Sequence, residues 1–398
     1  MYAERKILVK PMKNRKILIL SCNTGEGHNT AGHAMHEAFQ RMDVTCDFAD
    51  ALAIAGQKVS RRVSNTYVGI TTTVPSVFGW MYAVGRSVSD LNTRRLHCKS
   101  PVYAANVLYR RRLAAFIREG GYDAAVFPHL FPAECLTSLR ASGLLDIPFV
   151  NIATDYTCIP FWEETSPDYF VIPHPDLTAD FASRHIPPEK LLPFGIPVSA
   201  KFRAHTERAE ARRALGLPED VPVLLMMSGS MGFGRPETLI RALLAAFGAQ
   251  ACVLMLCGRN EGLRTRMEQA FADTPNVRPL PFTDRVPLLM DAADMVFTKP
   301  GGLTSTEAAV KNTLLVHTDP IPGCETINAA FFRAHGLSVC NPEPGNPDAL
   351  ARTAFDLWRD SDAQARMLAA QRAQINPHAA EDTARFVLEK LIQGGAYR

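Results

Sequence analysis

A chain of 398 residues with 47% apolar and 21% charged content is long enough for two or three domains and too apolar to be disordered. Its nine cysteines include no Cys-x-x-Cys pair, which argues against a zinc site or a disulfide framework and for free thiols in a reducing cytosol. Net charge is only +3, but residues 58–118 hold eleven Lys/Arg against one acid, Asp90, leaving 32 basic and 39 acidic residues elsewhere; such a block points to an anionic surface partner.

Lys6, Lys10, Lys13, Arg15 and Lys16 precede an apolar run of only four residues, 17–20. A signal peptide needs a longer run and a small-residue cleavage site, so none is expected. Residues 5–10 partly echo 15–20, which makes Met1 and Met12 both candidate starts. The run 17–20 predicts a strand and Gly25 to Gly27 a turn. Residues 29–42 predict a helix, because Ala31, Ala34, Met35, Ala38, Phe39 and Met42 recur at helical spacing. A strand at 44–49 completes a Rossmann-like opening, and further strands are expected at 124–127 and 149–153.

The basic insert lies between them. Residues 63–85 are uncharged over 23 positions, but four threonines and three glycines make them too polar for a membrane span. Tyr67, Phe78, Trp80 and Tyr82 suit an interface, where aromatic rings sit at headgroup depth. Ser100-Pro101 is a good helix start, and one helix is expected to run to about Arg118, carrying Arg110, Arg111 and Arg112.

Residues 187–202 are proline-rich and lack periodicity, so Ile196-Pro197-Val198 reads as the region linking two halves. From about Val221 the pattern alternates: strands at 223–228, 252–257, 295–297 and 314–317, helices at 236–247, 261–271, 286–292, 303–311 and 325–335. That alternation implies a parallel sheet covered on both faces. Helical patterns at 347–370 and 379–393 close the chain.

Chemistry gathers where strands end. Gly25-Glu26-Gly27-His28-Asn29 follows a strand and opens a helix. Its glycines permit close backbone approach, and an imidazole at a positive helix end has a lowered pKa, which suits a base. Asp155 ends the strand at 149–153, at the edge where open α/β sheets bind ligands; it can orient His28, replace it as base, or simply cap the next turn. His129 occupies the same edge. Ser228 to Gly234 joins a strand to a helix and can cradle a diphosphate with backbone N–H groups and the Ser230 hydroxyl; the absence of a following Lys excludes a Walker A loop. Residues 299–328 place two glycine turns (Gly301-Gly302 and Gly323), a helix start and two carboxylates (Glu307 and Glu325) on one sheet edge. Bare N–H groups bind phosphate there, and ionised carboxylates accept from sugar hydroxyls. Glu307 also fits a capping box, Thr304 to Glu307.

With these motifs in this order from Lys16 to Leu337, the chain resembles the inverting glycosyltransferases of the monogalactosyldiacylglycerol synthase and diacylglycerol glucosyltransferase family. The lipid-linked muramyl-peptide N-acetylglucosaminyltransferases are more distantly similar. The resemblance implies an α/β fold of two Rossmann-like domains facing a central cleft (the GT-B glycosyltransferase fold). Residues 1–200 would be the acceptor and membrane domain, 201–378 the UDP-sugar domain, and 379–398 a helix crossing back to the first. It places His28 beside the acceptor hydroxyl, with Gly25, Gly27, Asn29 and His129 in the cleft. It assigns Glu307 to the ribose hydroxyls, Glu325 and Asn328 to the sugar, and Phe282 and Thr283 to the uracil. Ser230, Gly232, Gly258, Asn260, Gly301, Gly302, Thr304 and Gly323 complete the nucleotide-sugar set. Close relatives often have Gln where this chain has Cys324, which leaves glucose and galactose both open as donor sugars.

The expected activity is transfer of a hexose from UDP-hexose to diacylglycerol at the inner face of the cell membrane. Phe78, Trp80, Tyr82, Arg94, Arg95, Lys99, Arg110, Arg111 and Arg112 would face an anionic lipid surface. With no Asp-x-Asp after a strand, no metal or other cofactor is expected, and no nucleic-acid partner. The alternatives are a polyprenyl-linked acceptor, a nucleotide-sugar epimerase, which has no use for the insert, and a non-enzymatic lipid-surface sensor.

Overall fold

The computed structural model describes residues 15–22, 26–57, 84, 85, 87, 89, 99–227 and 236–392. The site residues Gly25, Phe78, Trp80, Tyr82, Arg94, Arg95, Ser230 and Gly232 expected from the sequence lie outside them. Two compact units divide the chain. The first runs to Ser199 and takes up the chain again from His378; the second is Ala200–Pro377.

The first unit is built on six parallel strands in the order β2-β1-β3-β4-β5-β6. They are β1 (Lys16–Ser21), β2 (Thr45–Asp50), β3 (Ala124–Phe127), β4 (Phe149–Ile152), β5 (Tyr169–Val171) and β6 (Leu191–Leu192). Ile17 to Leu20 are all fully buried, because helices cover both faces and a strand in such a sheet must be apolar throughout. The Glu26–Arg41 helix packs Ala34, Met35, Ala38 and Phe39 onto one face. The last helix, Ala379–Phe386, returns to that same core through Ala380 and Ala384, followed by Val387 and Leu388. Its Phe386 ring stands edge-on to Tyr169.

The second unit repeats the plan with the order β12-β11-β10-β7-β8-β9. Its strands are β7 (Val223–Met227), β8 (Cys252–Gly258), β9 (Val277–Pro281), β10 (Met295–Thr298), β11 (Leu314–His317) and β12 (Val339–Cys340), again all parallel. In each sheet the order reverses once, between β1 and β3 and between β7 and β10. A parallel sheet binds ligands at such a reversal, beyond the carboxyl ends of the strands.

The structure corrects three expectations about elements. The helix from Ser100-Pro101 is two helices, Pro101–Val107 and Arg110–Gly120. Ser100 caps the first through Tyr103 N at 3.1 Å, and the break leaves Leu108 87% exposed. The helical pattern at 347–370 is also two helices, Pro347–Arg359 and Ser361–Gln374. They part at Asp360, whose carboxylate accepts from Asp362 N and Ala363 N at 3.0 and 2.9 Å. The aperiodic stretch 187–202 contains β6, which pairs with β5. Among the described cysteines, Cys22, Cys46, Cys135, Cys252, Cys257 and Cys340 are free thiols.

Candidate functional site

Two sets of side chains stand at the two reversal points. In the first unit, the Glu26–Arg41 helix is the next described element after β1, and His28 lies in its first turn. His28 Nδ1 is 2.8 Å from the Pro128 carbonyl oxygen, just beyond β3, and 3.0 Å from Thr154 Oγ1, just beyond β4. A carbonyl only accepts, so Nδ1 carries the proton and the lone pair of the neutral ring is on Nε2. Burial holds the ring below the usual histidine range, against the opposing pull of the Asp155 carboxylate and of the Pro128 carbonyl. A neutral imidazole with a fixed tautomer is what a general base requires.

His129 is buried, caps the Leu130–Ala141 helix by accepting from Phe131 N at 3.2 Å, and packs its ring edge-on to His28 at 4.7 Å. Burial, then the neighbouring His28, keeps it well below the usual range and uncharged. Asn29 accepts from Ser21 Oγ at 2.6 Å, which ties the helix start to the end of β1. Gly27 lies in the same first turn. Thus His28, Asn29, His129 and Asp155 share one edge, reached from three adjacent strands.

In the second unit, β10 ends at Thr298 and Lys299-Pro300-Gly301 leads into the Gly302–Val310 helix. Gly301 is the N-cap, without a side-chain cap. Thr304 therefore lies inside the helix, which overturns the capping-box reading of Glu307. Glu307 is 7% exposed, and among the described residues nothing hydrogen-bonds to its carboxylate. Burial pushes that carboxyl up to about 8, with the Lys201 ammonium pulling the other way.

Glu325 and Asn328 sit on the next helix, Cys324–Ala334, which starts after Gly323 at φ 128°, a backbone state that favours glycine. Both are already engaged. Glu325 pairs with Lys299 and accepts from Ile321 N at 2.9 Å. Asn328 donates to the Pro300 carbonyl at 3.0 Å and is fully buried. They fasten the two turns to each other, a role the sequence does not display. A cavity of about 450 Å³ opens at this edge, lined among others by Met227, Phe297, Lys299, Thr318, Asp319 and Asn341. Sequence reasoning missed the last four; Lys299 was visible only as the first residue of the glycine turn.

On the β8 and β9 side, Gly258 has φ 59° and Asn260 caps the Glu261–Ala270 helix by accepting from Leu263 N at 2.9 Å. Phe282 is 60% exposed with the Arg259 guanidinium 4.8 Å from its ring centre. Thr283 Oγ1 accepts from Arg285 N at 3.1 Å. Phe282 and Thr283 border a second cavity of about 280 Å³ with an apolar floor of leucines.

Five cations of the insert lie among the described residues. Exposed Lys99 donates to the Glu164 carbonyl at 2.7 Å, half-buried Arg110 to Ser138 Oγ at 2.9 Å, and exposed Arg118 reaches the Leu144 carbonyl. Arg111 and Arg112 are exposed, although Arg112 also reaches the Ala55 carbonyl. No helix among the described residues is long and apolar enough to cross a membrane.

Residues 28–198 match the monogalactosyldiacylglycerol (MGDG) synthase family, so the resemblance seen in the motifs holds over that stretch. The processive diacylglycerol beta-glucosyltransferase of Staphylococcus saprophyticus is 31% identical over 229 residues, 56% of this chain and 58% of that one. The enzyme of the same name from Bacillus licheniformis is 25% identical over 338 residues, 82% and 83% of the two chains. The chain thus spans a little over half the length of the staphylococcal relatives it matches. Among solved structures, MurG of Acinetobacter baumannii superposes with a TM-score of 0.60 at 16% identity, covering 96% of this chain and 99% of that one. A glycotransferase of kitacinnamycin gives 0.64 at 12%, covering 94% and 98%. The UDP-GlcNAc 2-epimerase of Neisseria meningitidis gives 0.58 at 11%, covering 95% and 100%. These likenesses show the fold, the two-Rossmann GT-B fold, and it is shared by transferases and epimerases alike.

Proposed function

We propose that the protein moves a hexose from a UDP-sugar to the free hydroxyl of diacylglycerol, with inversion at the anomeric carbon, while bound peripherally to the inner face of a membrane. The observation that carries this reading is His28. Its ring is neutral and locked at Nδ1, and it begins the stretch that matches a glycolipid-synthase family.

In this reading Nε2 takes the acceptor proton as the oxygen forms its bond to the anomeric carbon. The bond from that carbon to the UDP oxygen breaks on the opposite face. Asp155 stabilises the imidazolium that results, as its pull on the His28 pKa implies. The second unit holds UDP: Glu307 takes the ribose hydroxyls, and the N–H groups at Gly301-Gly302 face the diphosphate, where negative charge builds as UDP leaves. No step calls on a metal. The exposed Leu108, Arg111 and Arg112 would meet an anionic bilayer, each cation contributing about 1 kcal/mol near the surface.

An epimerase is the second reading, favoured only by the shared fold. The test is incubation of the purified protein with labelled UDP-glucose or UDP-galactose and vesicles containing diacylglycerol. Label in a chloroform-soluble product supports transfer, and the donor that works identifies the hexose. Label that stays water-soluble in an altered UDP-sugar establishes the epimerase.

A further inference from the structure

His317 ends β11 and is fully buried. Its Nε2 lies 2.9 Å from Ser305 Oγ on the Gly302–Val310 helix, and its Nδ1 lies 3.0 Å from Ser338 Oγ, one residue before β12. The Phe332 ring of the Cys324–Ala334 helix stands edge-on at 5.2 Å. One imidazole thus touches both helices that carry the candidate carboxylates, Glu307 and Glu325. A neutral ring offers one donor and one acceptor, so one serine hydroxyl donates to it and the other accepts from it. Burial brings the ring down to about 3, so it stays neutral at any working pH.

Glu307 makes this arrangement consequential. Its carboxylate has no hydrogen bond from the described residues; its place is set by the helix that bears it. At its far end that helix is tied down by its C-cap, Lys311, paired with Asp291 at 2.6 Å; polar contacts also hold its first half. Asn328 grips the Pro300 carbonyl just before it begins, and Ser305, two residues before Glu307, is held by His317. We infer that His317 is a positioning residue for the nucleotide, fixing the Gly302–Val310 helix so that Glu307 meets the ribose hydroxyls. This rests on the UDP-sugar reading above.

The experiment compares UDP affinity by calorimetry, and KM and kcat for UDP-hexose, in wild type, His317→Leu, His317→Gln and Ser305→Ala, with melting temperature as control. His317→Leu is expected to weaken UDP about tenfold and to raise the KM for UDP-hexose, since small misplacements of a positioned group are costly. The KM for diacylglycerol should not move. His317→Gln, which keeps one donor and one acceptor, should recover most of the affinity. Ser305→Ala removes a single hydroxyl and should show the same UDP defect more weakly, even where His317→Leu fails to fold. UDP affinity equal to wild type in Ser305→Ala and in folded His317→Leu, with only the melting temperature lowered, overturns the inference and leaves the UDP-sugar reading standing. A wild-type protein that does not bind UDP overturns both.

Discussion

His28 and Glu307 each lie on a helix that follows a strand beside the reversal of its sheet, His28 in the first turn after β1 and Glu307 past the middle of the Gly302–Val310 helix after β10. Their surroundings differ. The protein itself decides the state of His28: a carbonyl and a hydroxyl meet Nδ1, and His129 packs against the ring. Glu307 is more enclosed, yet among the described residues no donor meets its carboxylate, and burial keeps it protonated to about pH 8. In the proposed reading, the contrast separates a group prepared to act from a group completed by its ligand. A base must be oriented before the substrate arrives, because proton transfer depends on geometry. A binding carboxylate gains most when the ligand supplies the hydrogen bonds that burial withheld.

The largest expected effect tests the prepared side. His28→Ala should lower turnover about a hundredfold or more, the usual cost of a lost general base, while UDP affinity measured by calorimetry stays within error. Asp155→Asn should cost less, since in this account it steadies the imidazolium; a larger loss from Asp155→Asn than from His28→Ala would make Asp155 the base.

Glu307→Ala comes next. It removes charge-assisted contacts to two hydroxyls, each worth about 1.5–3 kcal/mol at most, so UDP should bind at least tenfold more weakly while 2′,3′-dideoxy-UDP binds both forms alike. Unequal binding of the dideoxy compound would place Glu307 elsewhere than on the ribose.

A pH effect sharpens the comparison further. With its pKa raised to about 8, Glu307 must lose a proton to accept from two hydroxyls, so UDP affinity should rise as pH rises from 6 to 8 and level off above. Proton release, seen by calorimetry in buffers of different ionisation enthalpy, checks it. The His28 limb runs at lower pH: turnover should fall only below the ordinary histidine range, because protonation silences Nε2. For folding, the raised acid has the opposite sign to a salt-bridged one. The unfolded Glu307 ionises first, so its contribution to stability declines between about pH 4.5 and 8, and Glu307→Gln should flatten that decline.

The smallest effect concerns the surface. Changing Leu108, Arg111 and Arg112 to Ser should reduce flotation with vesicles rich in anionic lipid and lessen its salt sensitivity, by about 1 kcal/mol per cation. Turnover on detergent-dispersed diacylglycerol should be unchanged.

Much of this was legible in the chain. Strands such as β3 and β11 are short apolar runs bounded by turns, and alternation with helices identifies a parallel sheet. Other features depend on partners that periodicity does not see. β9 carries Pro279 and Pro281 and is possible only because it is an edge strand. The Leu130–Ala141 helix is buried nearly all round, so it shows no stripe. The break at Asp360 is a capping event inside an unbroken periodic pattern. At the candidate site, glycine turns and carboxylates could be placed at strand ends from the sequence, but their pairing was hidden. That Lys299 meets Glu325, or that His317 bridges Ser305 and Ser338, follows from strand order rather than local sequence.

The division between a prepared base and a ligand-completed carboxylate is tested most directly by measuring glycolipid formation and UDP affinity on the same preparations of His28→Ala and Glu307→Ala. The account predicts that His28→Ala binds UDP like wild type and makes almost no lipid product, while Glu307→Ala binds UDP weakly and recovers product formation at saturating UDP-hexose. If His28→Ala loses UDP affinity, or Glu307→Ala keeps it and loses turnover, the two roles are wrongly assigned.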